Sequence, residues 1–244
     1  LKLPPFLLSH LNLARSHAYY QANLSPAEAR YPVLVFSHGW VGMRVQNTYQ
    51  VEELVSHGYI VFAPNHTYGA AFTVFPDGSV ALNNPNALPS GVSDAEYASA
   101  RQKLGQTWAG DIHFVIDQIE RLERDEIPSP LASRMDLNRL GIFGHSTGGG
   151  AAVEACSSDP RCKAGLSMDA WLEPYFPPTP EQGLVKPFMF LESEKWNSGS
   201  RSQLFSALYD QPAGEHYLTI IQGARHYDFT DIPLLTPLAA RLGL

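Results

Sequence analysis

The stretch Arg139-Leu140-Gly141-Ile142-Phe143-Gly144-His145-Ser146-Thr147-Gly148-Gly149-Gly150-Ala151-Ala152 decides how this chain is read. Residues through Phe143 are strand-like, and the small residues after Ser146 open a helix. Between them Gly144-His145-Ser146-Thr147-Gly148 fits G-x-S-x-G, a strained strand-to-helix turn that thrusts a serine oxygen outward. Glycine is demanded two positions before and after the serine, because side chains there would collide across the turn. The first N–H groups of the following helix aim at the same point. A phosphate-cradling loop is excluded, since no Gly-Lys-Ser/Thr follows.

Outward from this turn, short β-rich runs alternate with helical stretches. Strands are expected at Tyr31–Phe36, Tyr59–Ala63, Arg139–Phe143, Ala164–Met168, Pro187–Leu191 and His216–Gln222. Helices are expected at Asn47–His57, stopped by Gly58, and at Ser99–Arg124, with Ile112, Val115, Ile116, Ile119 and Leu122 along one side. The alternation predicts an α/β fold with a mostly parallel central sheet and helices on both faces. Residues 64–97, rich in Pro, Asn, Gly and aromatics, read as a loop region over one end of the sheet. Residues 1–30 read as a helical or irregular extension, and no linker or repeat divides the chain, so 1–244 is expected to be a single domain.

Composition agrees with a packed globule: 244 residues, 44% hydrophobic, 11% aromatic and 17% charged. The net charge of −7, without a Lys/Arg cluster, argues against a nucleic-acid partner. No apolar run approaches the ~20 residues a spanning helix needs, so no transmembrane segment is expected. Cys156 and Cys162 flank a Ser-Ser-Asp-Pro turn and read either as a disulfide or as two buried thiols. A disulfide would favour a secreted or periplasmic location. The pair lacks the further ligands a zinc site requires, and no metal or other cofactor is expected.

A nucleophilic Ser146 needs a base. His226, in Gly223-Ala224-Arg225-His226-Tyr227-Asp228-Phe229 beyond the last strand, has the Ser, acid, His chain order. His216 should sit at the opposite end of that strand in a structural role. His38 and His145 flank the proposed site in positions suited to bracing loops. The base needs a carboxylate to hold its tautomer. Asp169, ending the strand Ala164–Met168, is favoured, with Glu192 and Glu194 at the end of the next strand as rivals. An oxyanion hole needs two N–H groups. Thr147 supplies one, and Trp40 in Ser37-His38-Gly39-Trp40-Val41-Gly42 supplies the other, with Gly39 permitting the bend. Gly39, His145, Trp171, Trp196 and Tyr227 are the candidate substrate-binding residues, and Tyr68 and Phe72 join them on strand ends or adjacent loops.

At these residues the chain resembles the platelet-activating factor acetylhydrolase type II family, near the dienelactone-hydrolase and bacterial polyester-hydrolase branches of the α/β-hydrolases. The likeness rests on Tyr31-Pro-Val-Leu-Val-Phe-Ser-His-Gly39, Ser56-His-Gly-Tyr-Ile-Val61, Gly144-His-Ser-Thr-Gly-Gly149 and Ala164-Gly-Leu-Ser-Met-Asp-Ala-Trp171, supported by Phe190–Glu194 and Gly223–Phe229. The resemblance implies an α/β-hydrolase fold, Asp169 as the acid, and an oxyanion hole from Trp40 and Thr147. It also implies a metal-independent enzyme for short-acyl esters, including platelet-activating-factor-like phospholipids. The antiparallel strands that usually open this fold are not legible here and are expected to be missing. Polyester or phthalate-type diester hydrolysis is the rival activity. A non-catalytic binding protein on the same fold is the rival of another class, which a complete Ser, Asp and His set disfavours.

Overall fold

Side chains alternate between the two faces of a strand, so Val33-Leu34-Val35-Phe36, apolar at every position, calls for cover on both sides. The computed structural model, which describes residues 13–177, 184–196, 200–210 and 214–235, provides that cover. In chain order the elements are β1 (Tyr31–Ser37), α1 (Thr48–Ser56), β2 (Ile60–Phe62), β3 (Phe72–Val74), β4 (Val80–Leu82), α2 (Asp94–Glu123), β5 (Met135–His145), α3 (Thr147–Ser158), β6 (Ala164–Met168), β7 (Phe188–Ser193), α4 (Ser200–Tyr209), β8 (His216–Ile221) and α5 (Ile232–Leu235). Six strands form one sheet in the order β2-β1-β5-β6-β7-β8, and every neighbouring pair is parallel. The chain runs outward from β1 to β2, then returns to lay β5 on the far side of β1. Strand order therefore reverses between β1 and β5, and the crevice at their carboxyl ends is where such sheets hold ligands.

Val33 and Val35 pack with Leu140 and Ile142 of β5 against α2 and α3, while Leu34 and Phe36 join Phe143, Met168 and the α1 residues Val51 and Leu54 on the other face. Helix α2 is held by a stripe of buried Leu104, Trp108, Ile112, Ile116 and Ile119, spaced three or four apart. Its start at Asp94 rather than Ser99 corrects the expected boundary. The cause is a capping box: Ser93 Oγ accepts from the Glu96 N–H at 3.3 Å, and the Glu96 carboxylate accepts from the Ser93 N–H at 2.9 Å.

The loop region at 64–97 is also corrected. It contains the antiparallel hairpin β3–β4, a single 3-10 turn at Pro85–Ala87 and the first turn of α2. In the hairpin Thr73 and Ala81 face inward, whereas Phe72, Val74, Val80 and Leu82 are exposed. A three-residue strand with its larger apolar side chains outward inverts the usual alternation, which explains why it was illegible. Residues 13–30, the described part of the N-terminal extension, form only isolated turns and bends apart from Leu13. Cys156 and Cys162 are joined by a disulfide with Cα atoms 5.1 Å apart, tying the end of α3 to the approach to β6.

Candidate active site

Ser146 lies at the junction of β5 and α3 with φ +56° and ψ −120°, a conformation unfavourable to a side-chain-bearing residue. Hydrogen bonds overdetermine it: its N–H donates to Met168 O at 2.9 Å, and its carbonyl accepts from Gly150 N at 3.1 Å and Trp171 N at 2.8 Å. The flanking glycines are required by contact. A Cβ on Gly144 would meet the Gly148 and Ser37 carbonyls, and one on Gly148 would land on the carbonyls of Ser37 and His38. The turn is thus pressed against the end of β1.

Asp169 follows β6, is fully buried, and has φ +45°. His226, one turn beyond β8, donates from Nδ1 to Asp169 Oδ2 at 3.0 Å. Ser193 at the end of β7 fills the rest of the carboxylate, its N–H donating to Oδ1 at 2.6 Å and its Oγ–H to Oδ2 at 2.7 Å. Of the three candidate carboxylates, Asp169 is the one hydrogen-bonded to His226; Glu194 accepts from Gly223 N at 3.2 Å, and Glu192 is buried. Sequence reasoning missed Ser193, although it stands between the two glutamates weighed for the acid. With Nδ1 committed, Nε2 is the nitrogen open to proton exchange.

Ser146 and His226 line one cavity of about 370 Å³ together with Gly39, Trp40, Val41, His145 and Tyr227. No hydrogen bond joins the two side chains; such contacts commonly tighten only in the substrate complex. The Trp196 indole lies parallel to the His226 ring at 4.1 Å and is fixed by donating from Nε1 to Ala170 O at 2.9 Å. The Arg201 guanidinium also packs over the indole, 4.1 Å from its centroid. Trp196 therefore braces the imidazole from outside that cavity. Trp171, partly buried against the core, and the exposed Tyr68 and Phe72 also lie outside its lining.

The loop after β1 is held from beneath. Gly39 O accepts from His38 Nδ1 and from Gly42 N, both at 2.8 Å. A trans peptide points its C=O and N–H in opposite directions, so anchoring this carbonyl sets the direction of the Trp40 N–H. Among the described residues neither the Trp40 N–H nor the Thr147 N–H has a protein acceptor. His38 Nε2 accepts from His66 N at 3.1 Å, and burial, with His66 nearby, lowers the His38 pKa to about 3, keeping it neutral. Beneath it Ser37 donates to His66 Nε2 at 2.9 Å and His66 Nδ1 to Asp111 at 2.8 Å, with the His66 ring stacked on Trp108 at 4.0 Å. This second Ser-His-Asp series has Ser37 and His66 fully buried, so it supports the loop and cannot meet a substrate. Its members are scattered along the chain, and nothing local in the sequence pairs them.

His145 is 1% exposed. Its Nε2 donates to His226 O at 2.8 Å and its Nδ1 accepts from Gln46 Nε2 at 3.0 Å, so both nitrogens are engaged. Burial first, and His226 second, lower its pKa to about 3. It lines the cavity while both of its ring nitrogens are bonded to protein partners. His216, at the start of β8, faces the Tyr209 and Leu184 carbonyls at 3.1 and 2.8 Å, away from this end of the sheet.

A parallel sheet reversing order at β1 and β5, with a positive-φ serine at the turn after β5 and a histidine arriving beyond the last strand, defines the α/β-hydrolase fold. This chain belongs to the platelet-activating factor acetylhydrolase, isoform II family, whose model matches residues 7–241. It is 26% identical over 219 residues to the platelet-activating factor acetylhydrolase of Cavia porcellus, covering 85% of this chain and 50% of that protein. It is 23% identical over 141 residues to Cutinase 2 of Thermobifida cellulosilytica, covering 58% of this chain and 40% of that one. Among solved structures it resembles a ferulic acid esterase from Streptomyces cinnamoneus, with TM-score 0.73 and 28% identity over 94% of this chain and 61% of the other. The chain spans about half the length of the curated acetylhydrolases it matches.

Proposed function

We propose that this protein hydrolyses carboxylic esters through a Ser-His-Asp triad of Ser146, His226 and Asp169. His226 Nε2 takes the Ser146 proton as Oγ attacks the ester carbonyl, and Asp169 supports the imidazolium that forms. The tetrahedral oxyanion is held by the Trp40 N–H from the loop after β1 and the Thr147 N–H at the start of α3. His226 then protonates the leaving alcohol, and in a second step activates water to release the acid and free Ser146. The observation that carries this reading is the Asp169–His226 hydrogen bond at 3.0 Å reaching into the cavity that Ser146 lines. The names of its relatives, acetylhydrolase, cutinase and ferulic acid esterase, all fit ester cleavage.

Short-acyl esters are the proposed substrate class, platelet-activating-factor-like phospholipids included. The cavity walls formed by Val41, Met43, Val45, Ile232 and Leu235 offer an apolar surface to an acyl or leaving group. Polyester or phthalate-type diester cleavage is the alternative, favoured by the cutinase likeness. Turnover of p-nitrophenyl acetate, an acetyl-ester phospholipid and a terephthalate diester by the same preparation separates these. Ser146→Ala should lower turnover at least ~10³-fold with the fold intact; unchanged turnover in that variant defeats the assignment.

A further inference from the structure

Gln46 lies just before α1, outside every motif that singled out the site, yet its side chain bonds two separate segments of it directly and a third through His145. Its Oε1 accepts from the Gly39 N–H at 3.1 Å, on the loop that carries Trp40. Its Nε2 donates to His145 Nδ1 at 3.0 Å, on the residue preceding Ser146. His145 passes the chain on, Nε2 donating to the carbonyl of His226 at 2.8 Å. The Gln46 backbone carbonyl accepts from Asp231 N at 3.0 Å, and neighbouring Asn47 donates from Nδ2 to Phe229 O at 2.6 Å, so the His226 loop is clipped to the same place. Room for the amide is made by Gly42, where a Cβ would land on Gln46 Oε1.

The orientation of this amide is determined by its partners. Gly39 offers an N–H and so demands the oxygen, which turns the NH₂ toward His145. His145 must then present a bare Nδ1, which places its one proton on Nε2, facing the His226 carbonyl. The His226 carbonyl demands the same tautomer, so Gln46 and that carbonyl hold the His145 ring from both ends.

Resting on the triad reading above, we propose that Gln46 is a positioning residue: through His145 it locks the Trp40 loop, the Ser146 turn and the His226 loop into one register. Gln46 also lines the cavity beside Ser146, but its amide oxygen and nitrogen are bonded to Gly39 and His145, so its main effect falls on the rate of the chemical step rather than on substrate affinity.

The test uses the whole chain, p-nitrophenyl acetate as substrate, and labelling of Ser146 by a fluorophosphonate. Gln46→Met, similar in length but without the hydrogen bonds, should lower kcat about 10- to 100-fold with KM within about threefold. Combining it with His145→Phe should cost little more than either change alone, because both cut one chain. Gln46→Glu keeps the acceptor for Gly39 but needs a proton on His145 Nδ1. The ionisable groups facing that ring are His226, Asp169 and Tyr227, the last with its ring centroid 6.4 Å away. At neutral pH the carboxylate can hold His145 protonated and preserve the chain; as pH rises the proton leaves, so kcat gains a falling alkaline limb absent from the parent. An active, labelled parent whose Gln46→Met variant keeps kcat within twofold overturns the positioning role alone. If that variant does not fold, a Gln46→Glu pH profile superimposable on the parent's overturns it instead. A parent with neither turnover nor labelling at Ser146 overturns the triad reading, and this proposal with it.

Discussion

Asp169 and Glu192 are both buried carboxylates at neighbouring strand ends, and hydrogen bonding separates them. Asp169 accepts from His226 Nδ1 and twice from Ser193, which fixes the carboxylate as acceptor toward the imidazole. Replacing it by Asn keeps the shape but lets an amide NH₂ face Nδ1, favouring the wrong tautomer; Asp169→Asn should cost about 10³- to 10⁴-fold in kcat. Glu192→Gln should stay within about tenfold of the parent. The reverse order in steady-state assays would move the acid to β7. At this scale the strained turn at Ser146 was legible from its flanking glycines, and the location of His226 from its place after the last strand. Ser193, Gln46, His66 and Asp111 were not, because each acts through a partner at least 24 positions away.

The turn from β5 into α3 shows why an element, rather than a residue, carries the serine. Gly148 sits against the Ser37 and His38 carbonyls at the end of β1. An added methyl there meets backbone on both counts and cannot be relieved by a rotamer change. Gly148→Ala should destabilise by about 3 kcal/mol, read as a Tm drop of roughly 6–12 °C, with turnover lost in whatever folds. A Tm within a degree of the parent would mean that β1 and α3 can separate freely. The elements that were legible were those long enough to show a period, such as α2 with its stripe from Leu104 to Ile119. The hairpin β3–β4 was not, since three-residue strands with Phe72, Val74, Val80 and Leu82 outward present no alternation toward a core.

For the molecule as a whole, the price of the buried histidine bracing appears in acid. His38 and His145 both have pKa values lowered to about 3 by burial, from 6.5 when free. Above pH 6.5 they are neutral folded or unfolded and contribute no pH dependence. Between about 6.5 and 3 the unfolded chain binds protons that the folded one refuses, so stability falls as pH falls. Each contributes a slope of up to about 1.4 kcal/mol per pH unit in that window. The Tm should therefore drop steadily from pH 7 to pH 4, and less steeply in a His145→Gln variant; parallel curves would place the acid sensitivity elsewhere. The sequence by itself determined the alternation of strands and helices and the glycine-flanked turn at Ser146, because periodicity and glycine placement are local steric facts written in consecutive residues. Tertiary structure alone decided that Ser193 holds the Asp169 carboxylate, which partners each buried histidine takes, and that Gln46 stands where three loops converge. Those are distances between segments far apart in the chain, and they exist only once the β1–β5 crevice has closed around them.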